Sequence, residues 1–258
     1  MCGTCGCQTD TSISTSEPEP ETETATHQLL HLHQNLLAKN DRLAEHNRTL
    51  FRHLLASNIL SSPGAGKTTL VQRLLREREL MAGADPLHSQ PIPLQAGVIV
   101  GDLASDRDAQ RLRQTGVPVV QLNTGELCHL EADSMARAAQ QLDLANFHLL
   151  LIENVGNLVC PAAFDLGEDL RLVLMSVTEG EDKPLKYPTM FKTAHAVIIS
   201  KIDLADMVGF KRDEALRHLH LIAPQALIFE LSATTGEGLA SFYAYLGQAI
   251  FQCRDQAP

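Results

Sequence analysis

The nine residues Ser61-Ser62-Pro63-Gly64-Ala65-Gly66-Lys67-Thr68-Thr69 combine two glycines, a lysine and a run of hydroxyls in an order suited to holding phosphate. Gly64 and Gly66 let the backbone wrap closely, so that the N–H groups from Gly64 to Thr69, Ala65 included, can face an anion. A helix opening at Lys67 adds its dipole. Lys67 can reach the β and γ phosphates, and the Thr68 hydroxyl can bind Mg²⁺. Ser61 stands where the pattern G-x-x-x-x-G-K-[ST] has its first glycine.

Further along, Ser200-Lys201-Ile202-Asp203 follows an apolar run in the manner of the guanine-selective N-K-x-D motif. Asp203 can accept from both N1–H and the 2-amino group of guanine, a donor pair that adenine lacks. Ser200 in place of Asn is expected to remove an amide that buttresses the loop and to weaken affinity. Ser232-Ala233-Thr234 matches the short loop that backs the guanine ring. Two acids complete the set. Glu153-Asn154-Val155-Gly156 occupies the place of a D-x-x-G switch, with the acid orienting Mg²⁺ through water and the Gly156 N–H approaching the γ-phosphate. Asp102 is placed for Mg²⁺ or for the attacking water; as an alternative, either acid could cap a helix. Lys67, Thr68, Asp102 and Glu153 are therefore the expected catalytic set. With no counterpart of the water-positioning glutamine of fast GTPases, slow turnover is expected.

A different chemistry opens the chain. Cys2, Cys5 and Cys7, next to a free amine, put three soft donors in one small loop, enough with the amine for a four-coordinate Zn²⁺ or Ni²⁺ site. Adjacent Cys128 and His129 should project in different directions.

The elements that must position these groups follow from the hydropathy pattern. Apolar strand candidates at 58–60, 97–100, 117–122, 148–152, 171–177, 196–199 and 226–231 alternate with helical stretches at 67–82, 105–115, 132–144, 210–222 and 239–251. Such alternation predicts an α/β, P-loop NTPase three-layer sandwich, its mostly parallel sheet covered by helices on both faces, with ligands beyond the carboxyl ends of the strands. Before it, a helix is expected over 27–55. Leu29, Leu36, Leu43 and Leu50 recur every seven residues, but the companion seam His33, Asn40 and Asn47 is polar, which favours packing on its own domain over a coiled coil. Residues 9–26, rich in Ser, Thr, Glu and Pro, read as a flexible acidic linker. The expected layout is a metal-binding motif at 1–8, this linker, and a P-loop GTPase domain with its leading helix at 27–258. The stretch 82–95 reads as a loop. His46, His53, His148, His195, His218 and His220 read as ordinary core or surface residues, and Cys253 as a lone buried thiol.

The composition narrows the partners. Over 258 residues, 44% are hydrophobic, and 21 Lys+Arg against 31 Asp+Glu give a formal charge of −10, so a surface built to bind nucleic acid is not expected. The tail 1–26 carries Asp10, Glu17, Glu19, Glu21 and Glu23 and no basic residue. No membrane span or signal peptide is evident, and a soluble cytoplasmic protein is expected. Six cysteines, three of them within the first seven residues, suit metal better than disulfides.

Taken with the loop at 61–69, the motifs Cys2-x-x-Cys5-Gly6-Cys7, Asn123-Thr124-Gly125 with Cys128-His129-Leu130, Glu153 to Pro161, and Ser176 to Pro188 make the chain resemble the nickel-insertion GTPases of [NiFe]-hydrogenase maturation, the HypB family. The resemblance covers the first seven residues and nearly all of the chain from Asp41. It implies a GTPase that binds GTP/GDP, Mg²⁺, Ni²⁺ and Zn²⁺, and that forms a homodimer on GTP or metal binding. It also implies delivery of nickel to a hydrogenase large-subunit precursor together with a small zinc-containing accessory protein. Cys128, His129 and Cys160 would then form a second metal site at the dimer interface. Many relatives carry a histidine-rich nickel store; here only His27, His31 and His33 approximate it. Competing readings are a nickel buffer that uses nucleotide only to dimerise, a urease-type nickel GTPase, and a small-molecule kinase, which Asp203 disfavours.

Overall fold

The computed structural model describes residues 20–82, 94–102, 105–125 and 127–255, so the cysteines of the tail, residues 9–19 of the expected linker and most of the 82–95 loop lie outside the described residues. Contacts divide the chain into two units, Met1–Leu36 and Leu37–Pro258.

Helix α1 spans Pro20–Phe51. Part of the stretch expected as a linker, 20–26, is thus helical. Proline suits the first helical turn, where its missing N–H has no partner to lose. The helix stops at Phe51, short of the expected end at 55, because Leu55 already opens a strand. Within the second unit, the polar seam is the buried one. Asn40, Ala44, Asn47 and Phe51 are all at most 5% exposed. Asn40 Nδ2 donates to the Asp165 carbonyl at 2.7 Å and its Oδ1 accepts the Ala132 N–H at 2.9 Å. Asn47 donates to the carbonyls of Ala132 and Leu166 at 2.8 and 3.0 Å. Amides at these positions select docking on the chain's own loops over a dry zipper.

Seven strands follow: β1 Leu55–Ser61, β2 Ala96–Asp102, β3 Val119–Asn123, β4 Leu149–Glu153, β5 Leu170–Ser176, β6 Ala196–Ser200 and β7 Leu227–Leu231. They form one parallel sheet in the order β3-β2-β4-β1-β5-β6-β7. Between them run α2 Lys67–Arg76, α3 Glu79–Ala82, α4 Arg107–Arg113, α5 Ala132–Ala139, α6 Lys183–Lys186, α7 Pro188–Lys192, α8 Ala205–Val208, α9 Arg212–Ile222 and α10 Leu239–Asp255. The expected helix at 67–82 breaks into α2 and α3. The short helices α6, α7 and α8 carry no apolar period long enough to read.

Successive side chains point to opposite faces of a strand, and the core follows that rule. Leu55, Ile59, Leu149, Leu151, Leu172, Leu174 and Ile198 face one cluster, with Leu70, Leu74, Phe242 and Leu246 from α2 and α10. On the other face, Val173, Met175, Val197 and Ile199 meet Met190, Phe191 and Leu219. Ala56, Ile99, Leu150 and Ile152 meet Phe51 and Met135. Apolar side chains on both faces of the central strands make the three-layer sandwich the arrangement that buries them. Strand β1 lies at the centre of the sheet. The chain leaves its carboxyl end into the loop 62–66, beside the ends of β4 and β5, which is where such sheets bind ligands.

Candidate functional site

At that edge a cleft of about 460 Å³ is lined by Gly64, Lys67, Thr68, Asp102, Glu153 and Gly156, among others. Gly64 and Gly66 hold φ of +77° and +104°, left-handed backbone that a side chain would strain. Lys67 is buried, its Nζ donating to Ser61 Oγ at 2.9 Å. The residue standing at the first-glycine position thus gives the lysine a partner, and burial pushes the Lys67 ammonium down from its ordinary pKa.

Glu153 ends β4, between Ile59 of β1 and Val100 of β2 in the ladder. It is 3% exposed. Its Oε1 accepts the Thr68 hydroxyl at 2.6 Å, and burial pushes the carboxyl up to about 7. Oε2 is buried with no hydrogen-bond partner among the described residues. An unpaired carboxylate oxygen beside a threonine hydroxyl is a costly arrangement in a dry site, and a hard divalent cation is the group that would satisfy both. Gly156 follows at close quarters: a Cβ there would lie 3.0 Å from Pro63 Cα, so a side chain would press this segment off the phosphate loop.

A second recess of about 110 Å³ adjoins the loop and is lined by Ser200, Lys201, Asp203, Ser232 and Ala233 with Ala65 and Gly66. Lys201 takes φ +59° and donates from Nζ to the Gly64 carbonyl at 2.7 Å, so its stem crosses the phosphate loop. Ser200, expected to lose a buttress, supplies one: its Oγ donates to the Ala65 carbonyl at 2.7 Å. A shorter side chain suffices because β6 runs directly beneath the loop. Ser232 Oγ accepts the N–H groups of Thr234 and Thr235 at 3.2 and 3.1 Å, which fixes the turn after β7.

The third cluster lies on loops. Donor atoms of Cys128, His129 and Cys160 fall within 4.8 Å of one another, so the neighbours Cys128 and His129 converge where the sequence reading had them diverge. The two thiols are hydrogen-bonded, which, ahead of burial, pushes the Cys128 thiol up. His129 stacks on Phe164 at 3.8 Å; burial pushes its pKa down, and among the described residues neither ring nitrogen has a hydrogen-bond partner. Glu131 Oε1, at 3.6 Å from Nε2, is too far for one. A neutral imidazole with idle nitrogens beside two sulfurs is a donor set for a soft or borderline ion such as Zn²⁺ or Ni²⁺. Among the described residues no fourth Cys, His or carboxylate joins the group.

Known proteins are similar to this chain over most of its length. Residues 55–230 match the family model described as CobW/HypB/UreG, nucleotide-binding domain. The hydrogenase maturation factor HypB of Azotobacter chroococcum is 44% identical over 221 residues, covering 85% of this chain and 68% of that protein. The chain belongs to the HypB family. The structure of Helicobacter pylori HypB in complex with nickel is similar at TM-score 0.75 and 38% identity, over 83% of this chain and 96% of that one. Archaeoglobus fulgidus HypB gives 0.73 and 36%, over 83% and 99%.

Two features of this HypB-family site escaped the sequence reading. Asp108 and Arg111 of α4 line the phosphate cleft. Arg111 donates to Gln72 Oε1 at 3.0 Å and to Thr69 Oγ1 at 3.2 Å. Their i, i+3 spacing on a helix just after Asp102 was the available signal. Glu179 accepts from the Ser62 hydroxyl and from the Ser176 N–H, and pairs with Lys183 at 3.2 Å, so the segment after β5 clamps the rim of the loop. No helix among the described residues is long and apolar enough to cross a membrane.

Proposed function

We propose that the protein is a GTP-hydrolysing nickel metallochaperone, cleaving GTP with water to GDP and phosphate and coupling the nucleotide state to nickel delivery into a [NiFe]-hydrogenase precursor. The observation that carries this reading is the continuity of one segment. Glu153 bonds the Mg²⁺-binding threonine of the phosphate loop, Gly156 rests on Pro63, and Cys160 belongs to the Cys/His triplet.

In this reading Lys67 and the loop amides hold the β and γ phosphates. Thr68, Glu153 and Asp102 hold Mg²⁺, directly or through water, and Asp102 also serves the attacking water. Asp203 reads guanine, with Ser232 and Ala233 behind the ring. The triplet supplies three donors, and a second copy of the chain completes the shell in a GTP-favoured dimer. Cys2, Cys5 and Cys7 form a separate tail site at 1–8, tethered to the GTPase domain. The matched relatives are hydrogenase maturation factors, which supports a hydrogenase large-subunit precursor and a small zinc-containing accessory protein as partners, in the cytoplasm.

The test is phosphate release by the full chain with Mg²⁺ and GTP, with ATP as competitor. Slow, Mg²⁺-dependent release unaffected by ATP is expected. Equal competition by ATP would contradict the guanine assignment, and no release at any Mg²⁺ concentration would contradict the enzyme.

A further inference from the structure

Strand β1, which delivers the phosphate loop, also carries Asn58, a fully buried amide that neither site uses. Its Oδ1 accepts from Asn154 Nδ2 at 3.2 Å, and its Nδ2 donates to Glu168 Oε1 at 3.0 Å. The same Glu168 oxygen accepts from Arg171 Nε and Nη2 at 2.9 and 2.8 Å, while Oε2 is held by the Leu166 N–H at 2.8 Å. Arg171 also donates to the carbonyls of Ala162 and Phe164 at 3.2 and 3.0 Å. Those carbonyls belong to the turn that Cys160 opens and to the residue on which His129 stacks. Asn154, Asn58, Glu168 and Arg171 are 2%, 0%, 8% and 8% exposed.

A buried ion pair is a poor device for stability, since apolar residues of similar volume often do as well or better. Its return is fixed geometry. Here an arginine fork grips two carbonyls of the loop, at Ala162 and Phe164, while Asn40 and Asn47 hold it further on, at Asp165 and Leu166. We propose that Arg171 is a positioning residue for the Cys128, His129 and Cys160 triplet, and that the chain Asn154, Asn58, Glu168, Arg171 carries movement of the switch segment to it. The proposal rests on reading the triplet as a nucleotide-responsive nickel site. The covalent path from Gly156 displaces Cys160 alone. The buried chain acts on Phe164, the platform of His129, so donors on both loops respond together.

The test uses the full chain with Cys2, Cys5 and Cys7 changed to Ser, so that Ni²⁺ reports the triplet. Affinity is titrated with GDP and with a non-hydrolysable GTP analogue, with thermal melting to establish folding. Arg171→Lys keeps the charge beside Glu168 but loses the fork. Asn58→Leu, close in volume, cuts the chain midway. We expect Arg171→Lys to weaken Ni²⁺ binding by about 10-fold in both nucleotide states. Asn58→Leu should leave the GDP-state affinity unchanged and reduce the ratio between states to the part that the covalent path through Cys160 supplies. Where these do not fold, Asn58→Ser and the paired Glu168→Gln, Arg171→Met make the same cuts without a stranded charge. Native affinity in the Arg171 variants overturns the positioning role, and a native ratio in the Asn58 variants overturns the transmission. If the unsubstituted triplet shows no dependence on nucleotide, the coupled-nickel reading and the transmission fall together. The loss of affinity in Arg171→Lys then still decides the positioning role.

Discussion

The phosphate cleft is walled by the carboxyl ends of β1, β2 and β4, held in register by parallel ladders, and its acid Glu153 is 3% exposed. The Cys/His triplet hangs instead on two loops bordered by Leu127 and Val159, which are 48% and 63% exposed. One site is built to be rigid and nearly complete within a single chain. The other supplies three donors and stops. Under the proposed function, hydrolysis would need preorganised dipoles aimed at developing charge, whereas a cargo ion must also leave, and an open, three-donor site on loops suits release. The difference in construction matches the difference between the two proposed tasks.

Lys67→Ala strikes the rigid site hardest. It removes the one buried cation of the loop, so GTP cleavage should fall by roughly 100-fold or more, while Ni²⁺ on Cys2, Cys5 and Cys7 stays at native stoichiometry by elemental analysis. Loss of tail nickel in this variant would show that the sites are not separable. Cys160→Ala should have the opposite profile: the triplet's Ni²⁺ affinity drops by about 10- to 100-fold or more, while GTP binding measured at low metal stays near native.

How much of this was legible in the sequence follows the same division. Glu153, Lys67 and Asp203 stand in contiguous motifs because each sits where a buried strand ends, and both strand and motif are local. The strand positions are readable for the same reason, since Leu149 to Ile152 and Val173 to Met175 are apolar on both faces. Convergence of Cys128 with Cys160 is a property of loops brought together by the sheet order, and no local spacing contains it. Nor does it contain the roles of Asn40 and Asn47: their amides look like a flaw in a leucine repeat until the carbonyls of Ala132 and Leu166 are in place. Arg111 is not legible because, beside Arg107 and Arg113 on the same short helix, it reads as solvated surface.

Smaller effects sharpen the contrast. Asp203→Asn exchanges two acceptors for one acceptor and a donor, so GTP affinity should fall by about 10- to 100-fold, at 1.4 kcal/mol per factor of ten, with xanthosine nucleotides gaining; unchanged preference in competition would remove Asp203 from the pocket. The Glu153 carboxyl, raised to about 7 by burial, must ionise to hold Mg²⁺. Mg²⁺-dependent nucleotide affinity should therefore climb with pH, by up to about 10-fold per unit below 7, and level off above. The stability of the metal-free chain should run the other way. Because the folded state holds this proton more tightly than the unfolded one, stability falls as pH rises from the ordinary carboxylate range through about 7. A flat pH profile for Mg²⁺ would contradict the role of Glu153. Ser200→Ala, which deletes a single buttress to the Ala65 carbonyl, should cost only about 1 kcal/mol, a few-fold in nucleotide affinity.

The central claim is that the rigid site governs the open one. It is tested most directly by titrating Ni²⁺ into the chain with Cys2, Cys5 and Cys7 replaced, once with GDP and once with a non-hydrolysable GTP analogue, while following both affinity and stoichiometry. The account predicts a difference between the two states of about 5- to 150-fold, abolished by Cys160→Ala. Identical affinity and stoichiometry in the two states would contradict it.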